Sequence, residues 1–259
     1  MKEKLNIIKI GGNVINDSTQ LTSFLRNFAT IKGLKILVHG GGRKATELAA
    51  KLQLEPKMIA GRRVTDEANL DVVTMVYAGL LNKNIVAQLQ QNNCNALGLS
   101  GADGNVIKAH KRIVAAIDYG FAGDIDAVDS SVIQTFLESK LTPVFCAITH
   151  DKNGQLLNTN ADTIAAEVAA ALTADYEVIL SYCFEKNGVL KDVNDDNSVI
   201  ENMNADSYQI LKNTGIIVEG MLPKLENCFY ALNNGVAKIK IGNPEMILEN
   251  GTNYTTITL

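Results

Sequence analysis

The stretch IIKIGGNV, residues 7 to 14, places Lys9 inside a run of isoleucines and follows it with two glycines. An ammonium group among apolar side chains costs stability unless it meets an anion or reaches water. Lys9 therefore either snorkels from a strand edge or serves a bound anion. Two further turns are glycine-rich, HGGGR at 39 to 43 and GLSGADG at 98 to 104. Glycine lets backbone N–H groups come close to phosphate oxygens, and a helix N-terminus behind such a turn adds a favourable dipole. Each turn alone is equally a tight turn with positive φ, whereas several at neighbouring strand ends point to a phosphorylated ligand. The segment GGGRKA (40 to 45) also fits the dinucleotide fingerprint G-x-G-x-x-A, which asks for an acidic residue about 20 positions on. Around position 60 the chain has Ala60, Gly61, Arg62 and Arg63 instead. These arginines could take an NADP phosphate, so an oxidoreductase stays open, although it leaves KIGGN unexplained. The P-loop pattern GxxxxGK followed by Ser or Thr is absent.

Such turns need a frame that sets them side by side, and the hydrophobic pattern supplies one. Apolar runs of strand length, among them LNIIKI (5 to 10), LKILVHG (34 to 40), NALGLS (95 to 100), TPVFCAI and EVILSY (177 to 182), alternate with segments of helical period. Helices are predicted over 17 to 31, 43 to 53, 161 to 172, near 204 to 213, and from Glu219 to Asn233. A long helix or a pair spans Asp66 to about Gln91, with Gly79 its weak point. MIAGRRVT (58 to 65) and KNGVLKD read as hairpins, and residues 101 to 129 as loops and small hairpins. The expected fold is α/β, a three-layer α/β/α sandwich with a mainly parallel open sheet, because strands buried on both faces read as continuous apolar runs. Residues 1–259 are read as a single domain with two lobes, 1–175 and 176–259. In such sheets ligands sit beyond the carboxyl ends of the strands, where the glycine turns fall.

Composition narrows the class. Apolar residues at 46% and charged residues at 20% exclude a disordered chain. A net charge of -4 without long like-charge runs leaves no footprint for nucleic acid. Cys94, Cys146, Cys183 and Cys228 form no CxxC pair and read as reduced thiols. The apolar run at the N-terminus is too short for a signal peptide and no stretch is long enough to span a bilayer, so the cytoplasm is the expected compartment.

KIGGN, HGGGR, GRRVTD (61 to 66), LNTNADTIAAEVA (157 to 169) and GMLPKLENC (220 to 228) follow one another in order. With them the chain resembles, over essentially its whole length, the amino acid kinase family, and within it the acetylglutamate kinases of arginine biosynthesis. The resemblance implies ATP-dependent phosphorylation of the side-chain carboxylate of N-acetyl-L-glutamate, or of another N-acylglutamate such as N-succinylglutamate. It makes the first lobe the acyl-amino-acid side and the second the nucleotide side. It also implies that Lys9 and Lys224 stabilise the transferring phosphoryl group and that Asp162 orients both. Read without it, Lys224 is a solvated helix lysine and Asp162 a helix cap. By the same resemblance Arg63 grips the α-carboxylate, Asn158 contacts the same molecule, and the backbones of Gly41 and Gly42 bind it. Gly11 and Gly12 look like phosphate contacts. Arg62 falls at a variable position and receives no role.

The chemistry needs few further groups. A side-chain carboxylate with a pKa of about 4.3 is ionised at neutral pH, so no general base is required. His39 reads as structural, and His110 and His150 lack ligand-like spacing. With no carboxylate cluster at metal spacing, no metal-binding residues are assigned and Mg2+ is expected on the ATP phosphates and water. In the second lobe LSYCFEKNG (180 to 188) departs from the family pattern, with Tyr182 where aspartate is usual. ATP is placed near Ser181 to Lys186, with Ser181 and Lys186 as cofactor-binding residues, and around Asn213 to Ile217. Related kinases that arginine inhibits as hexamers carry an extra N-terminal helix. Here the first strand starts by about residue 5, so the resemblance implies an arginine-insensitive homodimer. Another carboxylate or carbamate kinase of this fold, an NADP-dependent oxidoreductase and a non-catalytic ligand sensor are the alternatives.

Overall fold

The computed structural model describes residues 2–59, 62–217 and 221–259. In chain order its strands are β1 (Glu3–Ile10), β2 (Leu34–His39), β3 (Lys57–Ile59), β4 (Arg62–Val64), β5 (Ala96–Leu99), β6 (Ile107–Lys111), β7 (Ala122–Val128), β8 (Thr142–Cys146), β9 (Ile148–His150), β10 (Leu156–Thr159), β11 (Tyr176–Cys183), β12 (Asn202–Met203), β13 (Lys238–Gly242) and β14 (Tyr254–Ile257). Its α-helices are α1 (Gly12–Asn16), α2 (Ser18–Thr30), α3 (Gly42–Lys51), α4 (Glu67–Thr74), α5 (Asn82–Gln91), α6 (Ser130–Glu138), α7 (Ala161–Ala171), α8 (Ala205–Asn213) and α9 (Leu222–Asn233).

One sheet runs in the order β12-β14-β13-β11-β1-β2-β8-β5. Its pairs are parallel except β13 with β14. The predicted mainly parallel sheet is therefore present. β1 lies at its centre, and its apolar residues Leu5, Ile7, Ile8 and Ile10 are all buried, as a strand covered on both faces requires. Helix α7 packs on β1, β2 and β11 and carries α9, while α5 packs on β5 and β8 and against α2. The strands from β11 onward make one half of the sheet and the earlier ones the other.

The segment read as loops and small hairpins is more ordered than expected. β6 and β7 form a hairpin that closes with β9 and β10 into a small four-stranded barrel. β6 carries a register shift between Lys108 and Ala109 and β7 buries its residues without strict alternation, so neither shows the period-2 pattern of a strand. The hairpin over 58 to 65 is present as β3 and β4, with Ala60 and Gly61 outside the described residues. The hairpin at KNGVLKD is wider than expected, its arms meeting at Leu190 and Val199. Gly79 marks the weak point anticipated between α4 and α5, where the chain continues as a π-helical segment, Met75–Leu81. Of the last long helix, Glu219 and Gly220 lie outside the described residues.

Two buried polar groups fasten this frame. The Lys35 ammonium donates to the carbonyls of Phe28, Ala29 and Ile31, at 3.1, 2.8 and 2.8 Å, and so caps the C-terminus of α2. His39 is fully buried at the end of β2, with Nδ1 2.9 Å from the Gly40 carbonyl and Nε2 3.1 Å from the Asn82 amide nitrogen. A neutral ring that donates from Nδ1 and accepts at Nε2 satisfies both partners, which supports the structural reading of His39. Burial pushes its pKa down to about 4. Between that value and the unfolded value the unfolded chain binds the extra proton, so stability falls as pH drops through the interval. The expected loss between pH 6.5 and 4 is on the order of 3 kcal/mol from this residue. Urea titrations of wild type and His39→Gln check it. The wild type should lose more stability over that range, and equal losses would contradict the assignment.

Candidate active site

Three charged side chains meet where β1, α7 and α9 converge. Lys9 emerges near the end of β1 with its side chain only 11% exposed. The cap of α7 is Asn160, whose side chain accepts the amides of Asp162 and Thr163 at 2.8 and 3.2 Å. Asp162 is therefore released from the capping role that its position suggested and turns to the lysines. Lys224 stands in the first turn of α9 behind Pro223, a residue suited to helix starts. It donates to Asp162 Oδ2 at 2.8 Å. Lys9 approaches Oδ1 at 2.7 Å, an ion pair that lies off the hydrogen-bonding direction.

The charges of the three groups depend on one another. Burial pushes the Asp162 carboxyl up, but Lys9 and Lys224 outweigh it and hold the group well below the usual carboxylate range. Burial pushes the Lys9 ammonium down, Asp162 opposes this and Lys224 adds to it. Two cations thus share one anion, leaving a net positive charge that faces open space.

That space comprises two cavities, and Lys9 and Gly12 line both. The first, about 490 Å³, also holds Asp162, Arg63, Asn158, Gly41 and Gly42. Arg63 is 9% exposed, and its Nη2 donates to the Gly42 carbonyl at 3.0 Å and to Thr46 Oγ1 at 2.6 Å. Its Nη1 is buried and finds no partner among the described residues. A buried guanidinium nitrogen without a partner is suited to an incoming carboxylate. Asn158 Nδ2 donates to Thr65 Oγ1 at 3.0 Å. A Cβ on Gly41 would come within 2.9 Å of the Tyr77 ring, so glycine is required there by the π-helical segment.

The second cavity, about 460 Å³, is lined by Lys224, Gly11, Lys186 and Glu185 and by apolar walls that include Phe184, Val189 and Ile217. The two glycines after β1 differ in what they offer. The Gly11 amide already donates to the Cys183 carbonyl at 2.8 Å, while Gly12 opens α1. Ser181 is buried within the sheet beside Ile8 and lines neither cavity, since its neighbour Tyr182 takes the face turned to α7. Lys186 lines the cavity and pairs with Asp196 at 2.7 Å.

A model of the amino acid kinase family matches residues 4–243. The chain belongs to the amino acid kinase family. An acetylglutamate kinase of Bacteroides fragilis is 54% identical over 241 residues, covering 93% of this chain and 92% of the relative. One of Cytophaga hutchinsonii is 52% identical over 248 residues, covering 95% and 94%. Carbamate kinase from Giardia lamblia, solved with AMP-PNP, superposes with a TM-score of 0.70 at 14% identity, covering 99% of this chain and 98% of the other, and shows the shared fold.

Membership in this kinase family implies ATP as the phosphoryl donor. In this amino acid kinase the structure brings together Lys9, Lys224, Asp162, Arg63, Asn158, Gly41 and Gly42, together with Gly12 and Lys186. Sequence reasoning missed Tyr77 and Thr46, which shape the first cavity, and Val189, which walls the second, while Phe184 falls within the stretch 181 to 186 where ATP was expected. The apolar residues had no signal of their own, because wall residues read like core. Among the described residues no helix is long and apolar enough to cross a membrane.

Proposed function

We propose that this protein transfers the γ-phosphoryl group of ATP to the side-chain carboxylate of N-acetyl-L-glutamate, giving an acyl phosphate and ADP, as in arginine biosynthesis. The observation that carries the reading is the Lys9–Asp162–Lys224 group at the junction of two cavities, one lined by Arg63 and Asn158 and one by Lys186 and apolar walls. The high identity to acetylglutamate kinases supports the substrate.

In this reading the substrate lies in the first cavity with its α-carboxylate on Arg63 and its amide near Asn158, while Gly41 and Gly42 border the chain. The side-chain carboxylate oxygen attacks the γ-phosphorus, the bond to the β,γ-bridging oxygen breaks, and its electron pair leaves with ADP. Lys9 and Lys224 neutralise charge on the equatorial and leaving oxygens, and Asp162 holds both ammonium groups in place. Gly12 and Lys186 border the phosphates. The acyl group prevents the amine from attacking the new anhydride. Among the described residues no three His, Cys, Asp or Glu side chains converge on a metal position, and the Asp162 carboxylate is engaged by both lysines. Mg2+, expected on the nucleotide phosphates and water, would supply further charge neutralisation when bound. Residues 1–175 then serve as the acyl-amino-acid lobe and 176–259 as the nucleotide lobe. A homodimer is proposed with them, and sedimentation as a hexamer would contradict it.

One observation favours a second substrate. Arg62 lines the first cavity and makes no ion pair among the described residues, whereas its neighbour Arg112 holds Asp124 through two nitrogens at 2.9 and 3.1 Å. An acyl group ending in a carboxylate, as in N-succinylglutamate, would give Arg62 a partner. Assays of N-acetylglutamate, N-succinylglutamate and carbamate side by side, with hydroxylamine to trap the acyl phosphate, test both readings. Hydroxamate from an acylglutamate is expected, and turnover of carbamate alone, or of none, would overturn the proposal.

A further inference from the structure

Tyr182 is fully buried at the centre of the sheet, in β11, and pairs in register with Lys9 on β1. Its hydroxyl donates to the backbone carbonyl of Asp162 at 3.0 Å. The Lys224 ammonium lies 5.1 Å from the centroid of its ring and 5.9 Å from that of Phe184. A single side chain therefore touches the support of every member of the charged group. It neighbours Lys9, ties down the first turn of the helix that presents Asp162, and lies beneath Lys224.

We propose that Tyr182 is a positioning residue for phosphoryl transfer, its ring face seating the Lys224 ammonium and its hydroxyl fixing the helix turn that carries Asp162. The inference rests on the kinase reading above. The residue type matters because of what the site must keep. A carboxylate at position 182 would hold Lys224 by cancelling its charge. An aromatic face attracts the ammonium through its quadrupole and adds no second anion to Asp162, which Lys224 already shares with Lys9. Burial keeps the phenol protonated and so a donor, since it pushes the pKa well above that of an ordinary tyrosine. Phe184 adds a second ring at longer range. The arrangement costs no extra charge in a buried place, where an additional anion would need its own partner.

Replacing Tyr182 by phenylalanine and then by its mono-, di- and trifluorinated analogues tests this, because fluorine weakens the ring quadrupole while hardly changing shape. Tyr182→Phe alone reads the hydroxyl. Along the fluorinated series kcat is expected to fall stepwise, by about tenfold from first to last, with both KM values and Tm unchanged. In a Lys224→Met background the series is expected to be flat, since no ammonium remains to be seated. A flat series in the otherwise wild-type enzyme overturns the inference, and so does a fall in kcat that tracks Tm. Wild-type protein that phosphorylates no acyl-amino acid overturns the kinase reading instead, a result distinct from a flat series in an active enzyme.

Discussion

Asp162→Ala is expected to lower kcat by about 10²- to 10³-fold, in the range for loss of one preorganised electrostatic element of an active site. The carboxylate touches both lysines, at 2.7 and 2.8 Å, so its removal acts on two catalytic groups at once. Two ammonium groups left facing each other repel, and Lys9, whose pKa burial already pushes down, relieves the strain by giving up its proton. The site then loses half of its positive charge and the alignment of the rest. The fold survives, because the lysines face a cavity that water can enter and α7 keeps its cap at Asn160. Thermal unfolding followed by circular dichroism, beside steady-state kinetics, separates the two effects. An inactive, folded variant is the expected outcome, and an unfolded variant or a fully active one would reject the role.

Arg63→Gln should act on binding rather than on chemistry. Arg63 lines the first cavity, its guanidinium is held through Nη2 by Gly42 and Thr46, and its Nη1 is buried with no hydrogen-bond partner among the described residues. A charge-assisted hydrogen bond to a carboxylate is worth about 1.5–3 kcal/mol. Its loss therefore raises KM for the acyl-amino acid by about ten- to a hundredfold, with KM for ATP and kcat little changed. Equal effects on KM for both substrates would place Arg63 elsewhere in the reaction.

How far the sequence alone reaches differs from residue to residue. The surroundings of Lys9 left two readings open, a snorkelling edge lysine or one that serves an anion, and the folded chain decides between them, since β1 is an inner strand and Asp162 lies 2.7 Å from the ammonium. The sheet was legible, since strands buried on both faces are written as unbroken apolar runs. The pairing of Asp162 with Lys224, 62 positions away, left no mark in spacing and came from resemblance. Local rules even favoured a cap at Asp162, and only the folded chain shows Asn160 in that place. Gly11 and Gly12 look alike in sequence, yet the Cys183 carbonyl from the neighbouring strand occupies one amide and leaves the other. Ser181 illustrates the same limit, since a one-residue step along a strand exchanges the site face for the opposite one. Tyr182 was visible as a departure from pattern, but its meaning depends on the ammonium lying over it.

The central claim is that two ammonium groups from distant parts of the chain meet over the migrating phosphorus. A crystal structure with ADP, aluminium fluoride, Mg2+ and N-acetylglutamate tests it most directly, because the planar fluoride stands where the phosphoryl group passes. The expected result is both Lys9 Nζ and Lys224 Nζ within hydrogen-bonding distance of that group, with Asp162 between them. Either ammonium turned away from the fluoride, with the acylglutamate carboxylate in line for attack, would contradict it.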